Sequence, residues 1–332
     1  MYGFVNSMTL KCALQLGLPD LIHKHGEPMT LTQLVNSIPV PSPDPDYLFR
    51  IMRFLVQNNL FTCSEDEKSG ELKYGLTPES ELLVMNHDKS LAKFVLQAMH
   101  LNQMSAWQHL IDGLGCDTYP WMVCHKTTWH ESAVKDVECL QLYIDSMKSY
   151  TTHVVEPLVS GCIGECVFDN VNTIVDIGGN TGITAKAVVD AFPDVKVTVM
   201  DLQEVIDQPH IDHPRIEYLA GDAFSFIPKA DVIFMKSFLH GYSEEQCIEV
   251  LKKCKEAIPL KTGKVVLVEI AVDAEGFPEF AMPKLCMDME MLIVGGKERN
   301  IKDWANILTK AGFTQHKIIP IAALESIIEA RP

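Results

Sequence analysis

The sequence lacks any apolar run long enough to cross a bilayer. Its longest, such as Val265 to Ile270 and Ile318 to Leu324, fall far short of the roughly 18 to 20 residues a span needs, so no membrane contact is expected. The opening MYGFVNSMTLKCALQLGLPD lacks the basic start, continuous apolar run and small-residue cleavage site of a secretory signal, which points to the cytoplasm. Basic residues are scarce, with 28 Lys and Arg against 44 Asp and Glu and a formal charge of −16. Phosphate-backbone binding depends on cations that displace counterions, so no nucleic-acid partner is expected. Internal repeats and low-complexity tracts are missing as well.

Cysteine is present but not in a framework. The ten, at positions 12, 63, 116, 124, 139, 162, 166, 247, 254 and 286, lack the dense spacing of a disulfide scaffold. Cys162 and Cys166 form a CxxxC, and Cys124 precedes His125, yet neither has the second pair of ligands a structural zinc site requires. Free thiols and no metal are expected. What remains is 332 residues, 47% hydrophobic and 22% charged, the makeup of a folded chain of two domains.

Up to about residue 150 apolar residues recur at three and four spacing, in Leu10 to Ile22, Leu31 to Ile38, Tyr47 to Leu55 and Leu91 to Trp107, which predicts an α-rich domain. Within it, two helices followed by Leu60 to Cys63, the turn SEDEKSGE and Leu72 to Leu76 read as a winged helix. Its acidic wing would repel phosphate, so packing or dimerisation is the expected role. From Asn172 short β-rich runs alternate with helical segments: Thr173 to Ile177, Lys196 to Met200, Ile216 to Ala220, Asp231 to Met235 and Lys264 to Ile270. Such alternation predicts an α/β domain with a parallel sheet covered on both faces. His316 to Ile321 and Glu325 to Ala330 are expected to pair antiparallel at the end of that sheet. The boundary is placed so that residues 1–155 form the helical domain and 156–332 the α/β domain.

The run IVDIGGNTG leads from the first strand into a helix, and a glycine loop there lets a ligand approach the backbone and the open N–H groups of the helix. The spacing is DxGGxxG rather than GxGxxG, a poor fit to a nicotinamide dinucleotide. The acid before the glycines suits the ammonium of an amino-acid-like cofactor. Asp201 ends the second strand, where an acid accepts ribose hydroxyls; Asp222, in AGDAF, ends the next and is suited to an adenine amino group beside Phe224. The two acids place an adenosine across the carboxyl edge of the sheet. His240 follows strand DVIFMKS and precedes a helix opened by the capping box Ser243 to Gln246. A neutral imidazole with pKa near 6.5 takes a proton from a hydroxyl near neutral pH. Glu269, at the end of VVLVE, and Glu298, in GGKERN, are placed to hold the ring in one tautomer and stabilise its cation. Methyl transfer from a sulfonium needs alignment and a base, with no metal.

These residues resemble a family, the plant small-molecule O-methyltransferases of the caffeate, isoflavone, stilbene and benzylisoquinoline-alkaloid group. The likeness runs through nearly the whole chain and is anchored by MTLKCALQLGLPDLIHKHGEPMTL, IVDIGGNTG, GDAFSFIPKADVIFMKSFLHGYSEEQC, LKKCKEAIP, GGKERNIKDW and KIIPIAALESIIEARP. It implies a Rossmann-like catalytic domain, an N-terminal helical dimerisation domain, a homodimer whose partner chain helps close the pocket, S-adenosyl-L-methionine as cofactor and a small phenolic substrate. It further implies Gly178, Asp201, Leu202, Asp222, Ala223 and Lys236 as cofactor residues, His240 as base with Glu269 and Glu298 as supports, and Met147 and Met291 as substrate-facing. Four departures stand out: Asn180 for the central glycine of GGGTG, Ala223 for a larger apolar residue, Ser237 for Trp with Gly241 for Asp, and a chain that starts about one helix later. They leave room for an alternative in which activity is lost or changed and the protein serves as a binding or heterodimer subunit.

Overall fold

A computed structural model describes residues 2–66, 69–115 and 118–332, without the side chains of Cys162, Glu165 and Cys166. Cys116 and the wing residues Glu67 and Lys68 thus lie outside the described residues, and the CxxxC pair outside the described side chains. Two units divide the chain: residues 1–104 with 141–150, and residues 105–140 with 151–332. No described helix is long and apolar enough to cross a membrane.

In the first unit the apolar spacing yields helices Gly3–Gln15, Leu18–His25, Leu31–Ser37 and Pro45–Gln57. The helical spacing over Leu10 to Ile22 is divided between two helices at Gly17, whose φ of +65° is left-handed, and Pro19 stands in the first turn of the second, where its missing N–H costs nothing. Helix Leu31–Ser37 opens on a capping box between Thr30 and Gln33. Strands β1 (Met29–Thr30), β2 (Phe61–Glu65) and β3 (Leu72–Leu76) form an antiparallel sheet in the order β1-β3-β2. The expected two helices and hairpin are therefore present, and they close over Leu18, Leu34, Met52, Phe61 and Tyr74.

The second unit is built on β4 (Thr173–Ile177), β5 (Lys196–Asp201), β6 (Ile216–Ala220), β7 (Val232–Lys236), β8 (Lys264–Glu269), β9 (Gln315–Pro320) and β10 (Ser326–Arg331). Their order is β6-β5-β4-β7-β8-β10-β9. The first five are parallel, while β10 runs antiparallel to both neighbours. Strands covered on both faces read as continuous apolar runs, and all six residues of β8 are buried. Each such Val or Leu contributes about 1.5–3 kcal/mol before chain entropy is counted. The two closing strands do pair antiparallel, but the later one enters the sheet and the earlier one takes the edge. Their burial accounts for this, since SIIEA of β10 is fully buried whereas β9 is exposed over Gln315, His316 and Lys317. The strand order reverses at β4, and an open α/β sheet binds ligands in the crevice at such a point, beyond the carboxyl ends of its strands.

Candidate active site

Beyond β4 the chain runs through Gly178 to Gly182 before helix Ile183–Ala191. Gly178 adopts φ +71° and Asn180 φ +53°, a region that costs most residues roughly 1–2 kcal/mol and that Gly and Asn visit most readily. Asparagine thus suits the backbone this loop requires. The Gly178 N–H donates to the Met200 carbonyl at 2.8 Å, which ties the loop to β5. A Cβ on Gly179 would stand 2.6 Å from Asp176 Oδ2, and one on Gly178 would stand 2.8 Å from the Phe238 ring, so neither position has room for a side chain. The helix that follows has no side-chain cap, which leaves its first N–H groups for a ligand.

Three acids stand at or just beyond the carboxyl ends of β4, β5 and β6. Asp176 is 2% exposed, and its Oδ2 has no hydrogen-bond partner among the described residues. Burial pushes its carboxyl up to about 7, against the opposing charge of Lys236 and with help from Asp201. An unpartnered buried acceptor costs about 1–3 kcal/mol, which a ligand ammonium would remove. Asp201 accepts from the Asn180 N–H at 3.0 Å and the Leu202 N–H at 2.8 Å; burial raises its pKa although both amides lower it. Asp222 is exposed and folds its own loop, accepting from the Phe224 N–H at 2.9 Å and the Ser225 hydroxyl at 3.2 Å. Ala223 is buried beside it. Lys236 ends β7; burial lowers its pKa, and Glu325, Asp176 and Glu269 counter that. Glu325 was not anticipated from the sequence.

His240 lies in a 3-10 turn, Leu239–Gly241, between β7 and helix Glu244–Ala257. The predicted capping box is formed, with Gln246 N–H donating to Ser243 Oγ and Ser243 N–H to Gln246 Oε1. His240 Nδ1 stands 2.8 Å from Glu298 Oε1, and Glu298 is fully buried. Since a carboxylate only accepts, Nδ1 carries the proton and the Nε2 lone pair is left as the basic site. Burial disfavours the charged ring, but the hydrogen bond and charge of Glu298, with the charge of Glu269, outweigh it and lift the pKa above 6.5. Glu269 plays a different part. Its Oε1 accepts from the Phe238 and Leu239 N–H groups at 2.9 and 2.7 Å, and its Oε2 lies 3.9 Å from the imidazole. Burial pushes this carboxyl up to about 7, with His240 opposing and Glu298 adding.

The three predicted groups are thus together, their nearest ligand atoms within 4.8 Å of one another. That set is one a metal ion accepts, yet the Nδ1 to Oε1 separation is that of a hydrogen bond. Sequence reasoning placed Phe224 beside Asp222 but missed Tyr242, whose ring centroid lies 5.1 Å from that of Phe224 and 5.2 Å from that of Phe238; aromatics flanking His240 on both sides were the available signal. Met291 lies on helix Ala281–Val294 of this unit, and its carbonyl accepts from the Gly296 N–H at 2.8 Å. Met147 lies on helix Val137–Val159, in the stretch that belongs to the first unit.

A family model for the O-methyltransferase domain matches residues 107–314, and one for the O-methyltransferase dimerisation domain matches residues 1–86. Columbamine O-methyltransferase of Coptis japonica is 46% identical over 330 residues, covering 99% of this chain and 93% of the relative. The (RS)-norcoclaurine 6-O-methyltransferase of the same plant is 38% identical over 336 residues, with 100% and 95% covered. An 8-hydroxyquercetin 8-O-methyltransferase of Mentha piperita is 39% identical over 346 residues, with 100% and 94% covered. Human N-acetylserotonin methyltransferase, solved with SAM, has the same fold with a TM-score of 0.86 at 19% identity, over 99% of this chain and 94% of that one.

Proposed function

This chain belongs to the S-adenosyl-L-methionine-dependent O-methyltransferase family, and on that premise we propose that it methylates a phenolic hydroxyl with His240 as general base. The acceptor is a plant secondary metabolite, with an alkaloid favoured over an isoflavonoid, stilbene or phenylpropanoid because two of the relatives above are named for alkaloids. The 2.8 Å contact between His240 Nδ1 and Glu298 Oε1 carries the reading of the base.

The cofactor fits the residues present. The unpartnered Asp176 oxygen and the glycine cradle at Gly178 suit its amino-acid end, Asp201 and Leu202 its ribose, and Asp222 with Ala223 its adenine, while Lys236 balances the acids beneath. Bound there, it supplies an electrophilic methyl group on a sulfonium. His240 receives the phenolic proton at Nε2, and the imidazolium so formed is held by the Glu298 carboxylate. Glu269 keeps the Phe238–Leu239 backbone in place through two N–H groups. Met147 and Met291 are the proposed substrate-facing side chains. The dimerisation match over residues 1–86 supports a homodimer, checked by light scattering.

Purified protein incubated with labelled cofactor and columbamine, norcoclaurine and 8-hydroxyquercetin should give a methyl ether. No ether from any phenol, with the cofactor still bound in calorimetry, would favour a binding or heterodimer subunit. His240→Ala should abolish nearly all turnover and leave cofactor affinity intact; a rate within about tenfold of the parent would move the base elsewhere.

A further inference from the structure

We infer that Arg299 is a positioning residue that fixes the geometry of His240 by clamping the backbone on both sides of it; this rests on the reading of His240 as base. The turn that holds His240 is weak by itself. Its two internal bonds, Gly241 N–H to the Phe238 carbonyl and Tyr242 N–H to the Leu239 carbonyl, are 3.4 and 3.2 Å long. A Cβ on Gly241 would meet nothing within 4 Å, so one side of the turn is open.

Residues 296–299 supply what the turn lacks. Arg299 Nη1 donates to the Leu239 carbonyl at 3.0 Å and Nη2 to the Tyr242 carbonyl at 2.6 Å. One rigid planar group thus spans His240 and sets the distance between its flanking carbonyls. Lys297 N–H donates to the carbonyl of His240 itself at 2.8 Å, and Glu298 takes its ring. A Cβ on Gly296 would stand 2.6 Å from the His240 carbonyl oxygen, so the two segments are in backbone contact. Arg299 is 4% exposed, and its guanidinium carbon lies over the Trp304 ring, 5.4 Å from the centroid. Among the described residues no carboxylate forms an ion pair with it. Burying a guanidinium without a counter-ion is costly, and here its hydrogen bonds go to backbone carbonyls around the base. A misplacement of about 1 Å in a reacting group costs on the order of a hundredfold in rate.

Arg299→Lys keeps a cation but has no fork to span both carbonyls. It should lower kcat on columbamine about 10- to 100-fold while the KM for the cofactor and the Kd for S-adenosylhomocysteine stay within about twofold. The second readout needs no acceptor. In the S-adenosylhomocysteine complex, the NMR titration of the His240 ring, assigned by its loss in His240→Ala, should move to lower pH as the Glu298 contact loosens. A purely structural role would lower Tm and leave that midpoint in place. Gly296→Ala disturbs the same clamp from the other side and should act in the same direction if Arg299→Lys does not fold. In a His240→Ala background Arg299→Lys should cause no further loss of rate. An unshifted midpoint, an unchanged kcat or an additive loss in that background overturns the inference. Failure of the base reading is separate, since it shows as retained turnover in His240→Ala alone.

Discussion

Replacing Glu298 by glutamine tests the chemistry of the site with the least change in shape. The amide oxygen can still accept from His240 Nδ1, now 2.8 Å away, but the charge is gone. A hydrogen bond to a charged group contributes about 1.5–3 kcal/mol against about 0.5–1.5 for a neutral one. The imidazolium in the transition state therefore loses about 1–2 kcal/mol. Both glutamates are fully buried and the ring is only 18% exposed, so water does little to screen that loss. At 1.36 kcal/mol per decade the plateau kcat should fall roughly 5- to 30-fold. The pH dependence carries a sign as well. A base works in its neutral form, so the parent's rate rises with pH through a His240 pKa that lies above 6.5. Glu298→Gln removes the chief cause of that elevation, leaving only the charge of Glu269 against burial, which lowers it. The acid limb should move to lower pH, and the gap between variant and parent should narrow below about pH 6. The assay is methyl transfer to columbamine at saturating cofactor across that range. A plateau within twofold of the parent, or a limb that moves to higher pH, would refute the reasoning.

Glu269→Gln should cost less than Glu298→Gln in the same assay, because its Oε1 holds two backbone N–H groups that an amide oxygen can also hold; an equal or larger loss would assign Glu269 a direct role. Gly179→Ala should weaken cofactor binding at least tenfold in calorimetry, since its Cβ would lie 2.6 Å from Asp176 Oδ2; unchanged affinity would show that the loop yields. Asp176 has its pKa raised from 3.8 to about 7, so the folded state favours the protonated form. Its contribution to stability is present below pH 3.8 and is lost as pH rises through about 7. Without cofactor, Asp176→Asn should raise Tm relative to the parent at about pH 8 and not at about pH 4; a constant difference would remove Asp176 as the cause.

How far the sequence reached depended on which interactions were local. The parallel strands were legible because both faces are buried, which writes them as Val- and Ile-rich runs such as KVVLVE. His240 was legible because a strand end precedes it and a capping box follows it. The insertion of β10 between β8 and β9 was not, since a hairpin pattern says which strands pair and not which one takes the edge; the polar start QHK of β9 was the clue. Arg299 was silent for a deeper reason. Its partners are backbone carbonyls 57 and 60 positions away, and every residue has a carbonyl, so no side-chain pattern marks them. Glu325 likewise reaches Lys236 only through the sheet order.

The place of β10 has a consequence for the birth of the protein. The strand is synthesised after β9 yet lies between β9 and β8, so β8 has an unpaired edge from the moment it leaves the ribosome until Arg331 has followed. During that interval a row of Val and Leu with open backbone groups faces whatever is near, and such an edge pairs readily with another nascent chain. Helix Ile301–Lys310 is made in that interval too, with Trp304, Ile307 and Leu308 fully or almost fully buried in the finished unit. Yield in a heterologous host should therefore respond to chaperone supply and growth temperature more than the stability of the finished fold would suggest.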